Sequence, residues 1–209
     1  MSGPDAAEAL WHTRPVAVTK ESFARARREV RRALRRDHYR SGLRPMALAG
    51  WNTSKEHNVG SLVRTAHAAA AAEVLLVGDR DWNVEAAKTA DLYTDVVMLP
   101  DEDAFLVHLE TAGYQLVSVE LHERSVSLFD AEFPDSPCFL LGAEIGGVPE
   151  RLIQASEVVV QIPQWGLVPS LNLAVAGSIV IYHYLSRLHA AGHLDRPDGG
   201  LMPRDGGDP

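Results

Sequence analysis

The stretch "IPQWGLVPSLNLAVAGSIVIY", Ile162 to Tyr182, decides how the rest of the chain is read. It leaves an apolar segment, turns at Pro163, Gly166 and Pro169, and enters a long apolar run that predicts a helix over 171–190. Ser170 stands where such a helix needs its N-cap. Asn172 then falls in the first turn, where an amide side chain is a poor choice unless it has a partner of its own. That partner must come from elsewhere in the chain.

Two other stretches offer candidates. In "LLGAEIGGVPE", Leu140 to Glu150, an apolar strand ends in Gly142 and is followed by Glu144 and the pair Gly146–Gly147. Glycines at the carboxyl end of a parallel strand let a ligand approach the backbone, and open α/β sheets bind ligands there. A tight strand-to-helix loop would use the same residues. In "NVGSLVRTA", Asn58 to Ala66, Asn58 is placed to cap a helix that holds Gly60 in its first turn and Arg64 further in. The plain alternative is an ordinary cap and an exposed helical arginine.

Around these stretches short apolar runs alternate with helical patterns. "MALAG" (46–50), "EVLLVG" (73–78), "DVVML" (95–99), "YQLVSVE" (114–120), "CFLLG" (138–142) and "EVVVQI" (157–162) predict strands. Helices are predicted near 59–71, 83–90, 102–111 and 149–155, before the long one at 171–190. Continuous apolar strands with helical crossovers predict an α/β fold, a mainly parallel sheet flanked by helices. Neither a strand-GxGxxG-helix unit nor a GxxxxGK[ST] loop is present, so a dinucleotide or nucleoside triphosphate has little support.

The bulk composition narrows the class. A chain of 209 residues with 46% hydrophobic residues fits one domain of ordinary size with a sizeable core. Its single cysteine, Cys138, lies in an apolar run, which excludes an internal disulfide framework and fits a reducing cytosol. The start "MSGPDAAEALWHTR" has no apolar h-region, and no apolar run approaches the roughly 18 residues of a membrane span. A soluble, cytoplasmic protein is expected. The net charge of −8 argues against coating nucleic acid by bulk attraction. Residues 20–44, however, hold ten Lys/Arg against three acids, so this segment carries +7 and the remainder −15. Residues 20–40 predict a helix with Phe23, Ala26, Val30, Ala33 and Leu34 as a narrow apolar stripe between arginines. The helix is either a basic arm for a polyanion or a solvated arginine face. Residues 1–44 thus form a basic helical extension, 45–190 the main domain, and 191–209, rich in Gly, Pro and Asp, an expected disordered tail.

Taken in order, the three stretches resemble the signature motifs of the SpoU/TrmH family of SPOUT methyltransferases: N-x-x-x-x-x-R-T-A, G-x-E-x-x-G, and I-P-x-x-G-x-x-x-S-L-N-x-x-x-A. The resemblance covers about residues 45–188. It implies a C-terminal deep trefoil knot, against the general topological prior, and a homodimer. It also implies S-adenosylmethionine as cofactor, held near Leu141, Gly142, Gly147, Ile162 and Leu171, and methyl transfer to a ribose 2′-hydroxyl of RNA without a metal. Arg64 is the implied catalytic residue, with Asn58 and Glu144 orienting it and the ribose, and Ser170 and Asn172 holding the nucleotide or the arginine. A guanidinium stays protonated in proteins, so Arg64 is better suited to hydrogen-bonding the hydroxyl oxygen, or to fixing a neighbouring phosphate, than to acting as a base.

The chain departs from the family pattern after Arg64, where "RTAHAAAAAEV" places His67 and an alanine run instead of an aromatic and a glycine. His67 is expected as a core or interface histidine. Trp165, in "IPQWG", either stacks on a base or packs the fold. Only some 44 residues precede the first predicted strand. That short lead makes the chain look like the minimal members that act on tRNA, ahead of those that act on rRNA. In that setting Arg28, Arg31, Arg32, Arg35 and Arg36 would grip phosphates. The competing readings are a catalytically silent RNA-binding knot, a SPOUT methyltransferase acting on a base, and a small-molecule α/β enzyme.

Overall fold

The computed structural model describes residues 20–52, 56–78, 82, 84–168 and 170–194, leaving aside the side chains of Lys20, Phe23, Arg35 and Glu56. The stretch before Lys20, the tail beyond residue 194, Pro169 and the Phe23 and Arg35 side chains therefore lie outside the described residues. The chain divides into two units, Met1–His38 and Tyr39–Pro209.

The described part of the first unit is a single helix. Helix α1 runs Lys20–Arg40, its last two residues already belonging to the second unit. Arg25 and Glu29, one turn apart, form an exposed ion pair at 3.2 Å. Ala26, Val30, Ala33 and Leu34, the described part of the apolar stripe predicted for this helix, are all exposed.

The second unit is built on a seven-stranded sheet in which every pairing is parallel: β1 (Arg44–Trp51), β2 (Ala71–Val77), β3 (Asp95–Leu99), β4 (Gln115–Val119), β5 (Val126–Ser127), β6 (Pro137–Leu141) and β7 (Val158–Gln161), in the order β3-β2-β1-β6-β4-β7-β5. All six predicted strands form. The seventh, β5, is two residues long and has no apolar run to announce it; its pairing to Val160 and Gln161 creates it.

Register explains why the strand sequences are continuously apolar. Val74, Leu48, Phe139 and Val117 lie side by side across β2, β1, β6 and β4 and point into one core. The next row, Leu75, Ala49 and Leu140 with Val159 beyond Ser118, points into the other. Both faces are covered, which is the condition for an all-parallel sheet. Helices α2 (Glu56–Ala68) and α5 (Leu173–Ala190) fill the first core with Leu62, Val63, Val180 and Ile181. Helices α3 (Glu102–Ala112) and α4 (Glu150–Ala155) fill the second with Phe105, Leu109, Leu152 and Ile153. Ser118 interrupts its row without cost because its hydroxyl lies 2.7 Å from that of Ser156, which in turn donates to the Leu152 carbonyl. Cys138 is buried and unpaired, and burial pushes its thiol well above the usual range.

One predicted helix is corrected. The 83–90 segment forms two short 3₁₀ turns, Val84–Ala87 and Ala90–Leu92, split by Lys88 and Thr89, both in the left-handed region at φ 50° and 75°. Left-handed residues cannot continue a right-handed helix.

Candidate functional site

The central strands β6, β4 and β7 end together, and a cleft of about 530 Å³ opens beyond their carboxyl ends. Its walls are the β4 end (Val119, Glu120, Leu121), the glycine loop after β6 (Leu141 to Glu144, and Gly147), the segment after β7 (Gln161, Ile162, Gln164) and the entry to α5 (Ser170 to Leu173, and Ala176). All five residues expected to hold the cofactor, Leu141, Gly142, Gly147, Ile162 and Leu171, line it, and so do Glu144, Ser170 and Asn172.

The glycine loop is folded back on itself. Ala143 and Gly147 exchange two backbone hydrogen bonds, and a Cβ on Gly142 would lie 2.6 Å from the Gly147 carbonyl carbon. Gly147, at φ 63°, passes so close to Glu120 that a Cβ there would meet its carboxylate at 2.4 Å. That carboxylate accepts from the backbone N–H groups of Val148 and Leu121, both at 2.9 Å, and so fastens the loop to the end of β4. Sequence reasoning missed Glu120. Its signal is an acid placed just after an apolar parallel strand, where ligand sites form.

The three motifs meet through amides. Asn172 is the N-cap of α5: its Oδ1 accepts from Ala174 N at 3.0 Å and Val175 N at 3.3 Å. This corrects the expectation that Ser170 caps the helix; α5 starts two residues later, at Leu173. The Asn172 amide nitrogen donates to Asn58 Oδ1 at 2.9 Å, and the Asn58 nitrogen donates to Glu144 Oε1 at 2.9 Å. Asn58 is not a cap either. It sits inside the first turn of α2, only 7% exposed, where its polar ends are answered by the other two motifs. Thr65 and Ser178, with hydroxyls 2.9 Å apart, fasten α2 to α5 further along.

Arg64 is not brought to this cleft within one chain. Six residues carry it about 1.7 helical turns beyond Asn58, and it is exposed in a smaller cleft with His67, Lys88, Thr89 and Tyr93. His67 is half-buried, packed against Tyr39 and Tyr93 at 4.5 and 5.6 Å between ring centres. Burial lowers its pKa, so it is a neutral packing histidine, as expected. Trp165 is 86% exposed and stacks on Phe129. The described arginines expected to meet phosphates, Arg28, Arg31, Arg32 and Arg36, are exposed on α1.

Among the described residues no group of three or more His, Cys, Asp or Glu side chains could hold a metal ion. No described helix is long and apolar enough to cross a membrane.

Comparison with known proteins agrees with this geometry. The model of the SpoU rRNA Methylase family matches residues 45–182. The tRNA (guanosine(18)-2'-O)-methyltransferase TARBP1 of Mus musculus is 34% identical over 137 residues, 62% of this chain and 9% of that protein. The tRNA (guanosine(18)-2'-O)-methyltransferase of Escherichia coli (strain K12) is 28% identical over 152 residues, 71% of this chain. The match spans 66% of the E. coli protein's length. The AdoMet-bound rRNA methyltransferase from Sinorhizobium meliloti superposes with a TM-score of 0.64 at 26% identity, over 72% of this chain and 60% of that one.

Proposed function

Because the chain belongs to the SpoU rRNA Methylase family, we propose that it is an S-adenosylmethionine-dependent RNA methyltransferase acting on a ribose 2′-hydroxyl, with tRNA ahead of rRNA as substrate. The observation that carries this reading is the amide chain Asn172–Asn58–Glu144, which ties all three motifs together at the rim of the strand-end cleft. The names of the mouse and E. coli relatives favour tRNA.

The residues present fit the cofactor. The cleft is of ordinary small-molecule size, and its wall includes the looped-back glycine segment, which Gly142 and Gly147 allow to pack against itself and Glu120. Leu141, Gly142, Gly147, Ile162 and Leu171 would hold S-adenosylmethionine, which supplies the activated methyl group. The protein's part is to orient the ribose and stabilise charge on its oxygen as the proton leaves. Asn58, Glu144, Ser170 and Asn172 position the nucleotide, and Arg64 hydrogen-bonds the 2′-oxygen or fixes a neighbouring phosphate.

Arg64 can reach that position if the site is completed by a second copy of the chain. Val175, Ile179 and Tyr182 form a stripe on α5 at i, i+4 and i+7, exposed by 48, 37 and 50%. With Ser61 and Ser178 they line a shallow apolar cleft of about 480 Å³. An unpartnered helical stripe of this kind is suited to a homodimer contact. The same reading includes the C-terminal trefoil knot, which rests on the family match. It includes a methyltransferase domain over 45–190, a basic extension over 1–44 whose Arg28, Arg31, Arg32, Arg35 and Arg36 contact RNA phosphates, a tail over 191–209, and a cytoplasmic location.

The test uses methyl-labelled S-adenosylmethionine with bulk tRNA and rRNA, comparing wild type with Arg64→Ala and identifying the modified nucleoside by mass spectrometry. A 2′-O-methyl nucleoside in one pool, absent with the variant, is expected. A methylated base, or label unaffected by Arg64→Ala, overturns the mechanism. Cofactor binding with no label in either pool overturns the activity.

A further inference from the structure

The smaller cleft, of 180 Å³, is formed where α2 meets the two 3₁₀ turns. Their approach depends on Gly60: a Cβ there would lie 2.4 Å from Ala86 Cβ, so any larger residue would push the turns away. Pressed against α2 in this way, the turns bring Lys88 and Thr89 into the same cleft as Arg64.

Three features of this cleft are unexplained by packing. Arg64 and Lys88 are two cations in one cleft that no acid lines among the described residues, in a protein of net charge −8, and neither side chain has an ion-pair or hydrogen-bond partner among those residues. The Thr89 hydroxyl makes no capping bond to the turn it begins. Lys88 and Thr89 are also held consecutively in the left-handed region, which is costly for a β-branched residue and is retained chiefly at functional sites. Cations, a free hydroxyl and a strained backbone in one cleft suit an anion with several acceptor oxygens.

We propose that this cleft is a phosphodiester-binding subsite for the RNA substrate, in which Lys88 and Arg64 meet the phosphate oxygens and Thr89 donates its hydroxyl. The proposal rests on the reading of the protein as an RNA methyltransferase. The subsite sets the register of the chain: a phosphate anchored beside Arg64 fixes which ribose the guanidinium can reach. It is a positioning site, and it supplies affinity without reading sequence.

The experiment measures binding of bulk tRNA by fluorescence anisotropy from low to moderate salt, and methyl transfer under the same conditions. The proteins are wild type, Lys88→Gln and Thr89→Gly. Lys88→Gln should weaken tRNA binding three- to tenfold, lower the slope of log K against log[salt] by about 0.7 to 1, and raise KM for tRNA more than it lowers kcat. Cofactor affinity should not change. Thr89→Gly relieves the backbone strain, so it should keep or raise Tm while weakening tRNA binding severalfold. A structural role for Thr89 would give the opposite pattern. Unchanged affinity and salt slope in a folded Lys88→Gln protein overturn the subsite. If wild type binds tRNA with the expected slope change but transfers no methyl group, the activity fails and the subsite stands. If wild type binds no RNA at low salt, both fail.

Discussion

In the cleft beyond β4, β6 and β7, polar groups are answered from within the protein. Asn172 caps its helix and holds Asn58, Asn58 holds Glu144, and Glu120 takes two backbone N–H groups of the loop opposite. In the cleft beside the 3₁₀ turns three polar groups are left open: the Arg64 and Lys88 side chains and the Thr89 hydroxyl have no partner among the described residues. Helix α2 serves both: Asn58 braces the Glu144 and Asn172 side chains at the rim of the first cleft, and Arg64, six residues on, lines the second. The difference separates two kinds of work. A site that fixes a small cofactor and orients a reacting group gains from being rigid before the ligand arrives. A site that takes a charged polymer from solution gains from keeping its charges unneutralised until contact.

The comparison can be broken at its rigid end first. Asn172→Ala removes an N-cap and strands the buried Asn58 carbonyl oxygen, so it should cost about 2 kcal/mol in urea unfolding. It should also lower methyl transfer by about 100-fold, the scale seen when one preorganised donor is lost. Turnover near that of wild type would show that the amide chain is only structural. A smaller effect is expected at the loop. Gly147→Ala places a Cβ against the Glu120 carboxylate at a positive φ, and should weaken cofactor binding about tenfold by calorimetry. Adding Glu120→Ala removes the collision but leaves the backbone strain, so it should recover part of that loss. No recovery would separate Glu120 from the loop. Ile179→Asp puts a charge in the exposed stripe of α5. It should shift the protein to monomer in light scattering with loss of turnover and retained cofactor binding; a dimer that persists would place the contact elsewhere.

The rigid cleft was also the more legible of the two in the sequence. Strands β1, β2, β4, β6 and β7 are buried on both faces, so their apolar runs needed no alternation to be seen, and the glycines after β6 marked the carboxyl end where the cleft opens. The S-L-N segment announced that Asn172 needed a partner, but not which residue; Asn58 lies 114 positions away, and only the sheet order brings α2 and α5 together. The caps were misread for a local reason. Ser170 and Asn58 are good capping residues by type, while the helices start at Leu173, capped by Asn172, and at Glu56, two residues before Asn58. The second cleft was invisible because it rests on two left-handed residues, neither a glycine, and on a contact between Gly60 and Ala86 that no periodicity encodes.

The smallest expected effect concerns the charge of that second cleft. His67 lines it beside Arg64 and Lys88 and packs against Tyr39 and Tyr93, with Nδ1 3.4 Å from the Thr94 hydroxyl. Burial lowers its pKa below the unfolded value of 6.5, so the folded state binds this proton less readily than the unfolded chain. The stability this confers is complete above pH 6.5 and declines as pH falls through 6.5 towards the folded pKa. His183, lowered by burial and by Arg187, adds a contribution of the same sign. His67→Phe keeps the aromatic packing and removes one of the two titrations. It should flatten the acid-side fall of Tm below pH 6.5 without abolishing it, and change tRNA affinity by less than twofold between pH 7 and 8. Unchanged acid sensitivity would mean that His67 carries no linked proton. A tRNA affinity that drops severalfold at pH 7 would mean that the imidazole is charged when RNA is bound, and the cleft would then hold three cations where the geometry assigns two.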